Sequence, residues 1–249
     1  MQDLLINLLA SVIAGAAVWF AQRLVRYRSV ERRRRFFGIR PNEEVHFHVS
    51  RHFSSPREKS VHRDDMAALV ELAIVTKECG GRPTLVTAVD TAAASRTGTE
   101  FCVGGPAANE RTAAYLRSLL PGVAFDIVDS AQMSIRVGGR TFDHTPGRAE
   151  YALVVRLLGQ KTGHPVFLLM GQKAYTNLAA ARYLATQHRE LGRRFPDQRD
   201  FCLLLLVREP AVLGSDHVEL VADLTAEAAT APVAAPAVTG DADDHTAQR

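Results

Sequence analysis

The chain has 249 residues, a formal charge of +3 and 47% hydrophobic residues. That charge is local: Gln22 to Arg40 carries eight arginines against the single Glu31, and the rest is mildly acidic, so no nucleic-acid partner is expected. Three cysteines, Cys79, Cys102 and Cys202, stand far apart without paired spacing, which excludes a disulfide framework and reads as structural thiols in a reducing compartment.

The first element is an uncharged apolar run from Leu4 to Ala21, followed directly by Arg23, Arg26, Arg28 and Arg32 to Arg35. As a helix, eighteen residues cover about 27 Å, close to the hydrocarbon thickness of a bilayer. Arginines on one flank only place that flank on the cytoplasmic side and the N-terminus outside. A cleaved signal peptide would carry its positive charge before the apolar core, not after it. A buried helix of a soluble domain, which Asn7, Ser11 and Gly15 would permit, leaves the arginines unexplained. The sequence therefore predicts a single-pass anchor over 1–24 and a basic collar over 25–42 that contacts the lipid bilayer and its anionic headgroups.

From Glu43 onward, β-branched runs alternate with amphipathic stretches, the pattern of crossover units in a mainly parallel sheet. Glu43 to Ser50 reads as a strand, Arg51 to Val61 as a polar loop and Arg63 to Glu78 as a helix. Asp64 and Asp65 suit its first turn, and Gly80 and Gly81 stop it. Strands follow at Pro83 to Val89 and Thr99 to Val103, then a helix from Ala107 to Leu120. Val123 to Val128 reads as a strand, and Met133 to Val137 and Arg140 to Phe142 form a hairpin around Gly138 and Gly139, placed at a sheet edge. Tyr151 to Leu158, Pro165 to Met170, a long helix from Tyr175 to Arg194, Phe201 to Val207 and His217 to Leu224 complete the domain. Thr225 to Arg249 is rich in Ala, Thr, Pro and Asp and is expected to be disordered. The predicted fold is α/β, a Rossmann-like mainly parallel sheet flanked by helices over 43–224, preceded by the transmembrane helix.

In such sheets ligands bind beyond the carboxyl ends of the strands. Two strand-to-helix turns qualify. Gly104, Gly105 and Asn109 belong to the first, where glycines permit close backbone approach and a helix start offers N–H groups to an anion. Gly171, Lys173 and Thr176 belong to the second, with Lys173 adding charge and Thr176 a cap. Arg51, after the first strand, suits a phosphate or carboxylate. Ser50, Asp90, Asp143, His144 and Glu150 are further polar candidates. Neither turn carries the third glycine of the dinucleotide pattern or the Gly-Lys-Ser/Thr ending of a P-loop. His46, His48 and His52 form a cluster, with His46 and His48 on one strand face, but a metal needs a third ligand and a carboxylate, from His62 or Asp64, whose geometry the spacing does not fix. No Gly-x-Ser-x-Gly elbow occurs, and Cys102 sits among core residues.

These features predict a cell-membrane, single-pass protein whose cytoplasmic domain senses a nucleotide-like or other anionic metabolite, with no cofactor named by any motif. A nucleotide-processing hydrolase using Glu150, Asp143 or His144 is the enzymatic rival. A membrane scaffold that contacts only a protein partner is the structural one.

Overall fold

The computed structural model describes residues 2–52, 60–86, 98–127, 133–158 and 163–230, with side chains from residue 12 onward, residue 198 excepted. One continuous helix, α1 (Gln2–Phe37), carries both the apolar run and the arginines. It ends where Gly38 takes φ +66° and Ile39 N–H donates to Arg34 O at 3.1 Å, a glycine stop that closes the last turn. Among the described residues no helix is long and apolar enough to cross a membrane. The side chains of Leu4 to Ser11, the first half of the apolar run, lie outside the described residues.

The domain is built on β1 (Glu44–Val49), α2 (Arg63–Glu78), β2 (Arg82–Val86), β3 (Glu100–Val103) and α3 (Glu110–Leu119). Then come β4 (Val123–Ile127), β5 (Met133–Val137), β6 (Arg140–Asp143), β7 (Ala149–Leu158), β8 (Pro165–Gly171) and α4 (Ala174–Arg194). The last elements among the described residues are β9 (Phe201–Arg208), α5 (Pro210–Leu213), β10 (Val218–Asp223) and α6 (Thr225–Ala229). Among the described residues seven strands form one sheet in the order β10-β9-β7-β8-β3-β1-β2. The block β2, β1, β3, β8 is parallel, as expected of crossover units, whereas β7 and β10 run against their neighbours. The fold is thus α/β with a mainly parallel sheet flanked by helices.

Alternate residues of each strand feed two cores. Phe47, Phe101, Val154 and Phe167 pack under α2, α4 and the end of α1, while Cys102, Leu153, Leu168 and Met170 pack under α3, α6 and a small second sheet. That second sheet, β4-β5-β6, holds the hairpin predicted at a sheet edge. The two-residue turn is present, with Val137 opposite Arg140 and Gly138 at φ +59°. The hairpin lies outside the main sheet, with β6 as an edge strand of this smaller one, and Ile135, Val137 and Phe142 bury one face of it on the core.

Three boundaries also move. Phe36, Phe37 and Ile39 are buried, so the domain core reaches back into the segment read as collar. The helix predicted from Ala107 starts at Glu110, because Asn109 is its N-cap. The segment read as a disordered tail opens with α6, where Ala228 is buried and its carbonyl accepts from Gly122 N–H at 3.0 Å; residues 231–249 lie outside the described residues.

Candidate functional site

The connection from β1 leads through α2 to β2 on one side, while β3 pairs with β1 on the other and continues through α3. Because α2 and α3 cover opposite faces, the loops leaving β1 and β3 diverge and open a crevice, the usual ligand position in such sheets. A cavity of about 350 Å³ lies there, within the range of roughly 300–1,000 Å³ common for small-ligand sites.

Both predicted turns open on this cavity. Gly104, Gly105, Gly171, Lys173 and Arg51 line it. Gly104 takes φ +103° and passes so near β1 that a side chain there would meet Ser50, its Cβ 2.6 Å from Ser50 Cβ. At Gly105 a Cβ would meet only the Phe125 ring, at 3.8 Å. Gly171 lies against Thr176, and its N–H donates to Asn177 Oδ1 at 2.6 Å. At the start of α4, Ala174 and Tyr175 present the amides that have no partner within a helix.

Asn109 and Thr176 stand behind the lining. Asn109 Nδ2 donates to His48 O at 3.0 Å and Val103 O at 2.9 Å, while its Oδ1 accepts from Arg111 and Thr112 N–H, both at 3.1 Å. It ties the ends of β1 and β3 together and caps α3. Thr176 Oγ1 exchanges hydrogen bonds with the Lys173 main chain, 2.7 and 3.1 Å, and fixes the turn into α4. Asp90 lies outside the described residues. Asp143 accepts from Ser134 on the small sheet at 2.7 Å. Glu150 is buried, 3.1 Å from His144 Nε2 and hydrogen-bonded to Tyr175.

The floor of the cavity is a group that sequence reading took for a helix-dipole partner. Asp65 is 4% exposed; Ser50 Oγ donates to one of its oxygens at 2.5 Å and Asn177 Nδ2 to the other at 2.8 Å. Burial pushes its carboxyl above the ordinary carboxylate range, against the pull of those two hydrogen bonds. The apolar wall was likewise unforeseen. Phe125, Ile127 and Met133 come from the small sheet, which buried Gln172 stitches in place: its Nε2 donates to Met133 O and Phe142 O, each at 2.9 Å, and its Oε1 accepts from Tyr151 N–H at 2.8 Å.

His46 and His48 do not face this cavity's lining; they lie on β1 above Glu100, whose carboxylate is 3.6 Å from His48 Nε2. Among the described residues no group of three His, Cys, Asp or Glu could hold a metal ion. Comparison with family models, curated proteins and solved structures gives no match.

Replacing Asp65 by asparagine keeps partners for Ser50 and Asn177 and removes a charge that burial disfavours. The folded state binds the Asp65 proton more tightly than the unfolded chain, so this contribution is present below the ordinary carboxylate pKa and fades as pH rises through the folded value. Asp65→Asn is expected to be at least as stable as the parent near pH 8 and to lose that advantage toward pH 4. Thermal unfolding across this range checks it; an advantage that grows on acidification refutes the assignment.

Proposed function

We propose that this chain is a membrane-anchored ligand-binding module, a sensor or regulator, whose cytoplasmic α/β domain takes a nucleotide-like or other anionic metabolite in the crevice between β1 and β3. The observation that carries the reading is the convergence of two strand-to-helix turns with Arg51 and Lys173 on one cavity. The cations and helix-start amides would take the anionic group, and the wall of Phe125, Ile127 and Met133 would take a ring.

The anchor reading is supported by α1 itself. Val12, Ile13, Val18, Trp19 and Phe20 are each more than half exposed, in a stretch of α1, Val12 to Ala21, without a polar side chain, which an apolar surrounding would suit. The other end of α1 docks at the amino ends of β3 and β8, where Thr99 Oγ1 donates to Phe37 O at 2.9 Å. In this arrangement the crevice, at the carboxyl ends, points away from the bilayer.

The test is thermal unfolding of the full-length chain in lipid nanodiscs with nucleoside phosphates and small carboxylates, alongside mass spectrometry of whatever copurifies. A ligand at about 100 times its Kd adds about 2.7 kcal/mol, or about 5–10 °C for a domain of this size. Gly105→Val projects into the cavity toward Phe125 without straining the backbone, and is expected to abolish the shift while leaving the unliganded Tm in place. If no anionic metabolite gives a shift, the module reading falls and a scaffold with a protein partner takes its place.

One observation favours a hydrolase as the second reading: among the described lining residues the carboxyl is Asp65, held with a raised pKa beside Ser50. Asp65, and not the enclosed Glu150, would then be the acid or base. Turnover of a bound nucleotide that survives Asp65→Asn would exclude that role.

A further inference from the structure

We infer that a second anion site, built for the phosphate of a soluble phosphorylated polyol, lies between the end of α1 and the end of α4, at the opposite pole of the sheet from the crevice. Its floor is Arg156 of β7, which is 1% exposed. The Arg156 guanidinium donates to Arg199 O at 3.0 and 2.6 Å and to Phe195 O at 3.0 Å, and stacks over the rings of Phe36 and Phe201 at 5.0 and 4.8 Å. Among the described residues no ion pair joins it to a carboxylate. A buried guanidinium held only by carbonyls keeps its full positive charge in a poorly solvated place, a cost that an arriving anion removes. Burial draws its pKa down to about 10, against the charge of Asp200, so it remains cationic at neutral pH.

The space around it is prepared for such an anion. A cavity of about 500 Å³ brings Arg32 and Arg35 of α1 to Arg189 and Arg193 of α4, with Asp197 as the acid of its lining. The α4 arginines are exposed and lightly engaged: Arg189 donates to Ser29 Oγ at 2.9 Å, and Arg193 pairs with Glu190 on its own helix. Guanidinium groups from three elements around one space match the oxygens of a phosphate.

His188 adds the hydroxyl to the prediction. It lines the same cavity, is 6% exposed, and its Nδ1 lies 2.8 Å from Ala185 O. A carbonyl only accepts, so Nδ1 carries the proton and Nε2 is left as an acceptor, buried without a partner. Burial also lowers the pKa of the ring, which keeps Nε2 unprotonated. An acceptor next to a ring of guanidinium groups suits a hydroxyl beside a phosphate.

Distance along α1 selects a soluble compound over a lipid headgroup. With α1 as the proposed anchor ending at Ala21, on which this step rests, Arg32 stands eleven residues further, about 16 Å along the helix axis. A headgroup layer is only about 5–8 Å deep. The site is independent of the crevice reading, since Arg156 pairs with Phe167 and Phe201 near the amino ends of β8 and β9.

Full-length chain in nanodiscs of zwitterionic lipid, titrated with hexose phosphates and inositol phosphates by calorimetry, tests the site. At least one compound is expected to bind, at least tenfold more weakly to Arg189→Gln/Arg193→Gln, and unchanged with Gly105→Val. The double variant touches exposed side chains and is expected to fold, as circular dichroism would verify. Absence of binding across the series, binding indifferent to the double variant, or binding only to vesicles containing phosphatidylserine would each overturn the proposal, the last by assigning these arginines to the membrane surface.

Discussion

Replacing Glu100 by glutamine is expected to lower stability at neutral pH by about 3 kcal/mol, the usual loss when one partner of a buried ion pair is removed. Glu100 is 5% exposed at the start of β3. Arg111 Nε and Nη2 grip its two oxygens at 2.9 and 2.7 Å, and Tyr115 donates its hydroxyl to Oε2 at 2.9 Å. A glutamine would turn an N–H donor toward donors already there. Burial alone would raise the Glu100 carboxyl, but the hydrogen bonds and charge of Arg111, with Tyr115, outweigh it and hold the group below the usual range. Its stabilisation is therefore present above the ordinary carboxylate pKa and is lost as pH falls through the lower folded value, so parent and variant converge in strong acid. His48 imposes a separate acid limb. Burial lowers it from 6.5 to about 4, against the nearby Glu100 charge, so stability falls as pH drops between those values, because the unfolded chain takes up a proton that the buried ring does not. His48→Gln is expected to remove that limb alone. Urea unfolding of the full chain in detergent from pH 8 to pH 3 measures both; a loss below about 1 kcal/mol for Glu100→Gln would mean that the pair only offsets its own desolvation.

The parts of this molecule that were legible in the sequence are those set by local chemistry. Gly104, Gly105 and Gly171 each sit between an apolar strand and an amphipathic helix, and a strand that must reverse into a helix with little space declares itself by glycine. The hairpin at Gly138 was readable for the same reason. What was not legible depends on partners distant in sequence. Nothing in β4–β6 says which surface the small sheet covers; that is decided by Gln172, thirty and more residues away, whose amide fastens Met133 and Phe142. Asp65 passes for an ordinary first-turn carboxylate until Ser50 and Asn177 are seen to enclose it, the latter 112 residues distant. Arg156 lies in an apolar run, YALVVRLL, where alternation would place it on a core face, and only the carbonyls of Phe195 and Arg199 explain how a charge is tolerated there. The collar misled in another way. Its arginines pointed to anionic lipid headgroups, yet Phe36 and Phe37 near its end are core residues whose rings pack against Phe167 and Phe101. The end of α1 is consequently part of the domain core, which fixes the orientation of this part of the helix to the sheet.

Gly104→Ala and Gly105→Ala, adjacent and chemically identical changes, are expected to behave oppositely. At Gly104 the backbone sits at φ +103°, where an L side chain is strained by about 1–3 kcal/mol. The new Cβ would also fall 2.6 Å from Ser50 Cβ and 2.7 Å from its Oγ. Relief of that overlap requires β1 and β3 to separate or Ser50 to rotate away, and rotation takes the donor from Asp65. Adding overpacking of about 1–3 kcal/mol, the total reaches about 2–6 kcal/mol. Because Gly104 N–H also donates to Leu169 O at 2.8 Å, the shift propagates to β8 and the floor of the crevice. Gly105 has no positive φ, and its Cβ would touch only the Phe125 ring at an ordinary 3.8 Å. Alanine there should leave stability within about 0.5 kcal/mol, as for substitutions free of strain and overlap. Denaturant unfolding of the two variants, with ligand titration of each, separates the roles of the two glycines. Equal stabilities would show that β1 and β3 have room to yield at their carboxyl ends, and the close approach of Gly104 to Ser50 would then not be what shapes the crevice.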